Sequence, residues 1–440
     1  MTTPTLSNPP PITIEELLQD DCMKKGASID GSSVGFALVN QSDLRLRPDP
    51  KAIFELPPIS MISNPNPESV NCPMLKKPMR RIVVLCHVVG KDSGAHFDSD
   101  CRYILERTVE KYLTAKNRRM TFKIEPEFYL LDKETRKPLD QCKYSTMYPF
   151  AKGQAFIMDL SLECRRLNIP VQVLHHECGI GQYEIEMNHV DLLKQADNLV
   201  MFKSLSHVIA DRHGLEINFM PKPFRDQAGS GQHIHMRMFK QDETGKEINA
   251  FGNFEGAQDE LGAQGKSYVA GILKHVKGIT AIANPTINSY KRLVNGFEAP
   301  TIACWGYKNR TALLRVPLFT SANDAAVEIR SPDLLSNPYL LFSVLIAAGV
   351  QGMEDQLEAP PARTDNVFDY SDEELKKEGL ELLPENLLEA IKEFEKDPLM
   401  KEVFLEHNFN MFKMAKRAEW DKYVHHCVTD WEFERYSNFM

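Results

Sequence analysis

The sequence predicts a protein of mixed helices and strands that is divided into two domains. The chain has 440 residues, which exceeds the usual size of one domain. Short segments in which apolar and polar residues alternate predict strands, and segments with helical spacing lie between them. We place the boundary near residue 92, so that residues 1–11 form a proline-rich leader, residues 12–92 a small domain and residues 93–440 a large one.

The composition excludes several classes of function. Hydrophobic residues make up 42% and charged residues 26% of the chain, and the net charge is −9, which argues against nucleic acid or an anionic membrane as the main partner. The nine cysteines are scattered without a C-x-x-C pair, as expected of reduced thiols. No apolar run is long enough to span a bilayer, and the N-terminus lacks a secretory signal. These observations predict a cytoplasmic protein.

The strand predicted at residues 121–131 carries charged residues on one face. Apolar residues alternate there with Lys123, Glu125 and Glu127, and a period of two places both carboxylates on the same side. Neighbouring carboxylates are stable when both are solvated, when one is protonated, or when a cation lies between them. For this strand alone, a solvated outer face is the simpler interpretation.

The same pattern recurs in three further predicted strands, at residues 181–187, 231–238 and 325–330. The charged pairs on the four strands are Glu125/Glu127, Glu184/Glu186, His233/His235 and Glu328/Arg330. If the strands share a sheet, one side packs against helices and the other carries clustered carboxylates, which is unfavourable unless divalent cations bind there. Oxygen-rich ligands with a single imidazole suit Mg²⁺ or Mn²⁺ better than a structural zinc ion.

Helical spacing fills the segments between the strands. A cap at Ser99 and Asp100 begins one predicted helix, and residues 191–213 form an amphipathic one. Asn337 followed by proline begins another. Pro48-Asp49-Pro50 predicts a turn in the small domain.

Four arginines lie close to the charged strands in the sequence: Arg292, Arg310, Arg315 and Arg330. Carboxylates that hold hard cations beside arginines are what phosphoryl transfer requires, because metals bridge phosphate oxygens and arginines neutralise developing charge. The chain has no G-x-x-x-x-G-K-[ST] loop. The residues alone therefore predict a metal-dependent, nucleotide-using enzyme.

Ten separated motifs also resemble those of the class I (bacterial-type) glutamine synthetase family, in the family's order. They are IDGSS (29–33), EPEF (125–128), HHE (175–177), GQYE (181–184), FMPKP (219–223), GSGQHIH (229–235), NPTINSYKRL (284–293), GFEAP (296–300), NRTALLRVP (309–317) and VEIRSPD (327–333). The resemblance implies an α+β fold, with a small N-terminal β-grasp domain and a large C-terminal catalytic domain whose curved antiparallel sheet is covered by helices. It also implies a homo-oligomer of two stacked hexameric rings, with sites between adjacent subunits.

The resemblance further implies the reaction and its metal ligands. Glutamate, ammonium and ATP would be the substrates, with γ-glutamyl phosphate as the intermediate and two or more Mg²⁺ or Mn²⁺ ions at each site. The ligands of one ion are matched by Glu127, Glu177 and Glu184. Those of the second ion, at the phosphoryl group, are matched by Glu125, His233 and Glu328.

The remaining family roles fall on substrate contacts. The arginines that hold the substrate carboxylate and the transferring phosphate are matched by Arg292, Arg310 and Arg330. The contacts to ATP phosphates are matched by His235, Arg310 and Arg315. Gly229 matches a backbone contact to glutamate, Glu298 the flap residue that takes a proton from ammonium, and Asp30 an acid that a neighbouring subunit contributes.

Two departures from the family pattern keep other functions open. Ala228 replaces a common asparagine, as in relatives that attach glutamate to larger amines, so one alternative is a γ-glutamyl ligase that uses a polyamine, ethanolamine or an alkylamine. The family's first helix and strand have no match before residue 12, so the N-terminal sheet is expected to be truncated, and a non-catalytic structural or regulatory protein is the other alternative. Asp30 and Glu298 favour ammonium, since two carboxylates bind and deprotonate a small cation.

Overall fold

The computed structural model describes residues 13–33, 37, 42–59, 79–257, 259–294 and 299–437. The chain divides into two compact units, Met1–Tyr103 and Ile104–Met440. The limits 1–11, 12–92 and 93–440 stay a prediction, and the leader lies outside the described residues.

The first unit contains short helices and a three-stranded antiparallel sheet. Its helices are α1 (Ile14–Gln19) and α2 (Asp21–Lys25), and its strands, in sheet order, are β1 (Ala27–Asp30), β2 (Asp43–Ile59) and β3 (Met79–Gly90). Thr13 and Glu16 form a capping box at α1, which satisfies backbone N–H groups of the first turn.

The predicted turn at Pro48-Asp49-Pro50 is wrong, because β2 continues through these residues. Its register against β3 shifts between Pro48 and Ile53. A bulge of this kind accommodates proline, which has no N–H to donate to the neighbouring strand. The sequence pattern therefore identified the irregularity but not its position inside a strand.

The second unit is built on one nine-stranded sheet. Its strands are β4 (Arg118–Asp132), β5 (Val171–His176), β6 (Gln182–Asp191), β7 (Leu215–Asn218), β8 (Gln232–Gln241), β9 (Glu247–Asn249), β10 (Trp305–Tyr307), β11 (Leu314–Val316) and β12 (Val327–Ile329). The order is β10-β11-β12-β8-β4-β6-β5, with β7 beside β4 and β9 beside β8. The predicted antiparallel pairing holds except between β10 and β11, which are parallel.

Helices cover this sheet, as predicted for the α+β class, and the fold class is confirmed. The helices that follow α2 along the chain are α3 (Cys101–Tyr112), which begins in the first unit, α4 (Gln154–Arg166), α5 (Leu192–Arg212), α6 (Ala263–Ala283), α7 (Ser289–Arg292), α8 (Pro338–Glu354), α9 (Asp372–Lys377), α10 (Leu387–Lys396), α11 (Pro398–Phe404), α12 (Glu406–His426) and α13 (Asp430–Tyr436). Short 3₁₀ turns occupy Thr114–Lys116, Ala322–Asp324 and Val367–Asp369. No helix in the described part of the chain has the length and apolar character needed to cross a bilayer.

Helix α8 lies in the core and supports the sheet. It begins as predicted, with Asn337 Oδ1 accepting hydrogen bonds from the backbone of Tyr339 and Leu340. The ring of Phe342 packs 4.8 Å from that of Phe122 on β4. Because the apolar side of β4 is held in this way, its charged side faces the opposite direction.

Candidate active site

The four charged strands lie side by side in the order β12, β8, β4 and β6. Their register places Glu328 opposite His235, Glu125 opposite His233, and Glu127 opposite Glu184. The apolar residues that alternate with them are fully buried: Phe122, Ile124, Ile185, Ile234 and Ile329. The prediction that these strands share one sheet with a charged face is confirmed.

The three predicted ligands of the second ion form one cluster. The ligand atoms of Glu125, His233 and Glu328 all lie within 4.8 Å of one another. His233 Nδ1 is 3.4 Å from Glu125 Oε2 and 3.9 Å from Glu328 Oε1. Two carboxylates and one imidazole at this spacing are a donor set suited to a hard divalent ion.

Glu328 is the most enclosed carboxylate of this cluster, with no exposed surface. Its oxygens accept hydrogen bonds from Arg315 Nη1 at 2.6 Å and Arg330 Nη1 at 2.7 Å. Burial raises the pKa of Glu328, but the charges of His235, Arg330 and their neighbours outweigh it and lower the pKa to about 2. Glu328 is therefore an anion that joins the metal cluster to two arginines.

The second cluster contains two predicted ligands together with a histidine that was not predicted to be a ligand. Ligand atoms of His175, Glu177 and Glu184 lie within 4.8 Å of one another, and His175 Nε2 is 2.9 Å from Glu177 Oε1. Glu127, the third predicted ligand, lies opposite Glu184 and accepts a hydrogen bond from the backbone N–H of Gly231 at 2.8 Å. The sequence signal for His175 was its position two residues before Glu177 at the end of β5, the spacing that places two side chains on the same side of a strand.

The electrostatics of this second cluster indicate an excess of negative charge. Burial, together with the carboxylates of Glu127, Glu125 and Glu177, raises the pKa of Glu184 to about 11. Burial also raises the pKa of Glu127, although His233 opposes the shift. Crowded buried carboxylates become stable as anions when a cation lies between them. The residues on this face therefore fit two hard divalent ions.

A buried hydrogen-bond network contacts the backbone of Glu177. His176 Nε2 lies 2.9 Å from Asp140 Oδ1, and its Nδ1 lies 2.6 Å from the backbone oxygen of Glu177. Tyr183 donates a 2.7 Å hydrogen bond to Asp140. Contacts of this kind hold a neighbouring side chain, here the predicted ligand Glu177, in one position.

Arg292 lies beneath the predicted glutamate loop. Its guanidinium donates to the backbone oxygens of Ser331 at 2.6 Å and Arg330 at 3.1 Å. A Cβ on Gly231 would lie 2.5 Å from Arg292 Nη2, so a side chain at this position would have to displace the guanidinium. The structure therefore places Arg292 as a brace for the loop, and its predicted contact with substrate stays a prediction.

The loop around Gly229 is held by two side chains from the sheet. Gln182 Nε2 donates to the backbone oxygen of Gly229 at 3.0 Å, and Tyr129 donates to that of Ala228 at 2.6 Å. Arg310, by contrast, is exposed between β10 and β11. His235 Nε2 lies 2.9 Å from Glu125 Oε1, so this predicted phosphate contact borders the metal cluster.

Of the two predicted ammonium-site acids, Asp30 lies within the described residues. Asp30, in the first unit, is exposed, and its oxygens accept hydrogen bonds from the hydroxyls of Ser32 and Ser33, both at 2.7 Å. The Ser32 and Ser33 hydroxyls hold the pKa of Asp30 well below its usual value. Glu298 lies outside the described residues.

Lys123 and Glu186 also lie on the charged face of the sheet, although the sequence interpretation gave them no role. Lys123 Nζ is 2.9 Å from Glu125 Oε1 and also contacts Glu186. The alternation of β4 already placed Lys123 on the same side as Glu125.

Comparison with known proteins identifies the family. The family described as glutamine synthetase, catalytic domain, matches residues 98–436. A glutamine synthetase of Clostridium saccharobutylicum is 35% identical over 432 residues, which are 97% of this chain and 90% of the relative. This chain belongs to the glutamine synthetase family. A glutamine synthetase of Methanocaldococcus jannaschii is 36% identical over 429 residues, covering 96% of this chain and 89% of the relative.

Solved structures agree with the glutamine synthetase fold. A structure of GmaS without ligand has a TM-score of 0.77 at 27% identity, covering 95% of this chain and 91% of that one. A Plasmodium falciparum glutamine synthetase has a TM-score of 0.78 at 20% identity over 94% of this chain and 90% of that one. The second likeness concerns the fold alone. The prediction of an ATP-dependent carbon–nitrogen ligase is confirmed by the family and its relatives.

The position of Glu184 on the charged face predicts how Glu184→Gln changes stability with and without Mn²⁺. We expect the metal-free variant to unfold within about 1 kcal/mol of the wild type, because the raised pKa makes Glu184 neutral without an ion. The variant should lose most of the stabilisation by Mn²⁺, which is about 2.7 kcal/mol at a hundredfold excess over Kd. Urea unfolding with and without Mn²⁺ measures both quantities.

The control for this experiment is Glu243→Gln, at an exposed glutamate of the same unit. It should respond to Mn²⁺ like the wild type. An undiminished Mn²⁺ response in Glu184→Gln would remove Glu184 from the ligand set.

Proposed function

We propose that this protein is a glutamate–ammonia ligase of the class I branch. ATP phosphorylates the side-chain carboxylate of glutamate, and ammonia then displaces phosphate from γ-glutamyl phosphate to give glutamine. The observation that carries the proposal is the charged face of β12, β8, β4 and β6, where two clusters of metal-ligand type lie beside an arginine-flanked glutamate. We further propose a cytoplasmic protein.

The six proposed metal ligands are divided between two ions. One ion is assigned to Glu127, Glu177 and Glu184, and the other to Glu125, His233 and Glu328. Divalent ions, when bound there, neutralise phosphate oxygens and orient them for in-line transfer. The strands hold the ligand side chains in fixed register, so little reorganisation is needed when substrates bind.

The arginines beside Glu328 support phosphate binding. Nε of Arg315 and Nε of Arg330 are buried without a hydrogen-bond partner among the residues that the structure describes. Buried donors without a partner are rare in proteins, and phosphate oxygens are suitable acceptors for guanidinium groups. We assign Arg315 and His235 to ATP phosphates, Arg330 to the transferring phosphate, and the exposed Arg310 to phosphate and substrate.

The acceptor is proposed to be ammonium, bound and deprotonated by Asp30 and Glu298. Asp30 is kept as an anion by two serine hydroxyls, as a group that attracts a small cation should be. We propose that Asp30 reaches the site of a neighbouring subunit in a homo-oligomer of two stacked hexameric rings. Closure over the intermediate excludes water, which would otherwise hydrolyse γ-glutamyl phosphate.

A γ-glutamyl ligase for an organic amine is the second candidate. Ala228 favours it, because a small side chain beside Gly229 leaves room for a larger acceptor. GmaS, a structural relative, has been solved in complex with ADP at 27% identity, and we extend nucleotide binding to this chain. A non-catalytic protein is disfavoured, because all six proposed metal ligands are present.

The deciding experiment measures phosphate release from ATP and glutamate with Mg²⁺, with ammonium, methylamine, ethanolamine or putrescine as acceptor. We expect release with ammonium and at least about tenfold less with each organic amine, a difference of about 1.4 kcal/mol. Release only with an organic amine would select the second candidate. No release with any acceptor would select the non-catalytic one. Full activity of Glu298→Ala with ammonium would remove the role given to Glu298.

A further inference from the structure

Lys123 places a positive charge among the carboxylates of the charged face. It lies on β4 opposite His235 of β8, and its side chain is 18% exposed. The ammonium group lies 2.9 Å from Glu125 Oε1 and also contacts Glu186 Oε2. A lysine at this position is therefore an enclosed counter-ion and not a solvated surface charge.

The oxygen that Lys123 contacts belongs to a proposed metal ligand. Glu125 Oε1 also lies 2.9 Å from His235 Nε2, so two nitrogen groups converge on it. The other oxygen, Oε2, faces His233 Nδ1 at 3.4 Å. An ion that binds Glu125 must therefore share this carboxylate with the Lys123 ammonium or replace it.

A third group of carboxylates surrounds the same lysine. Oxygens of Glu125, Glu184 and Glu186 lie within 4.8 Å of one another. Two of these three residues contact Lys123. An ammonium ion among carboxylates reduces the negative potential that a divalent ion would otherwise experience.

We propose that Lys123 is an internal counter-ion that competes with the divalent metal for Glu125 and weakens metal binding at the Glu125, His233 and Glu328 cluster. Glu186 is the second partner that receives the ammonium group when the metal takes Glu125. Lys123 is thus a positioning residue that sets the metal affinity of this cluster. The inference rests on the second metal site of the proposed function, but not on the reaction.

The test measures Mn²⁺ binding in the absence of substrates. The electron paramagnetic resonance signal of free Mn²⁺ reports how much of the ion is unbound. Lys123→Met keeps a long side chain and removes the charge. We expect it to bind the more weakly held Mn²⁺ at least about tenfold more tightly, or to bind one additional ion, because the competing charge is gone. Lys123→Arg keeps the charge and should resemble the wild type.

Glu186→Gln gives an independent measurement should Lys123→Met not fold, which circular dichroism would show. The glutamine variant leaves Lys123 with Glu125 as its remaining carboxylate contact, so we expect weaker Mn²⁺ binding. If Lys123 transmits this effect, Glu186→Gln changes the Mn²⁺ affinity less in the Lys123→Met background than in the wild type, as the double variant Lys123→Met/Glu186→Gln would show. An equal effect of Glu186→Gln in both backgrounds contradicts the proposal.

Two further outcomes would overturn the inference and leave the proposed function intact. One is weaker Mn²⁺ binding by a folded Lys123→Met variant. The other is unchanged Mn²⁺ binding by that variant, and weakened ATP binding would in that case make Lys123 a phosphate contact. Because binding is measured without glutamate or ammonium, loss of the ligase activity would not by itself produce either result.

Discussion

Glu328→Gln is expected to reduce ATP- and glutamate-dependent phosphate release at least about 1000-fold, since it removes charge from a preorganised electrostatic site. The carboxylate belongs to the metal cluster with Glu125 and His233, and it accepts hydrogen bonds from both Arg315 and Arg330. A glutamine has similar size, but it supplies no negative charge to either the ion or the arginines. The turnover number, measured with saturating ATP, glutamate and Mg²⁺, reports this loss.

The same substitution also affects stability, so folding has to be measured separately. Breaking one side of a buried ion pair costs about 3–5 kcal/mol, and circular dichroism before each assay shows the folded fraction. Glu247→Gln is the matched control, because Glu247 pairs with Arg119 at 2.9 Å and its side chain is 50% exposed. It should keep full activity and lose at most about 1 kcal/mol of stability. A folded Glu328→Gln variant with a tenth of the wild-type turnover would falsify the proposed role.

Gly352→Ala is expected to destabilise the second unit by at least about 2 kcal/mol, an overpacking effect. A Cβ at Gly352 of α8 would lie 2.4 Å from the backbone oxygen of Ser267 and 2.5 Å from Cα of Gly271, both on α6. Backbone atoms cannot move aside as a flexible side chain can, so the two helices would have to separate. Urea unfolding followed by circular dichroism measures the change.

Two effects of opposite sign act on the stability of Gly352→Ala, namely overpacking between the helices and the helix propensity of alanine. Alanine favours an isolated helix over glycine by about 1 kcal/mol, so helix propensity alone predicts a more stable variant. Lys274→Ala, on the exposed side of α6, is the control and should change stability by no more than about 0.5 kcal/mol. A Gly352→Ala variant as stable as the wild type would show that α6 and α8 do not approach closely here.

The sequence was sufficient to predict the charged face because its causes are local. Alternation along each strand determines which side chains share a side, and the residue types determine the chemistry of that side. Strand order was not visible in the sequence, since it depends on pairing between distant segments. The parallel pairing of β10 with β11 was missed for the same reason.

The sequence also did not reveal how deeply the charged side chains are buried or which groups they contact. The substrate contact of Arg292 stays a prediction, and the sequence did not reveal that its guanidinium donates hydrogen bonds to the backbone oxygens of residues 330–332. It also did not reveal that His175 Nε2 lies 2.9 Å from Glu177 Oε1. Whether a charged residue reaches a ligand, a carbonyl or another charge depends on packing in three dimensions.

The order of strands in the sheet differs from their order of synthesis. The neighbours β4, β5 and β6 all lie within residues 118–191, whereas β12, which carries Glu328, begins at Val327. A ribosome therefore releases Glu125, Glu127 and Glu184 well before Arg315 and Arg330 exist. Pairing between segments so far apart in sequence is slow. The acidic side chains of β4 and β6 are consequently synthesised without the two arginines that bond Glu328, but together with Lys123, which contacts Glu125 and Glu186.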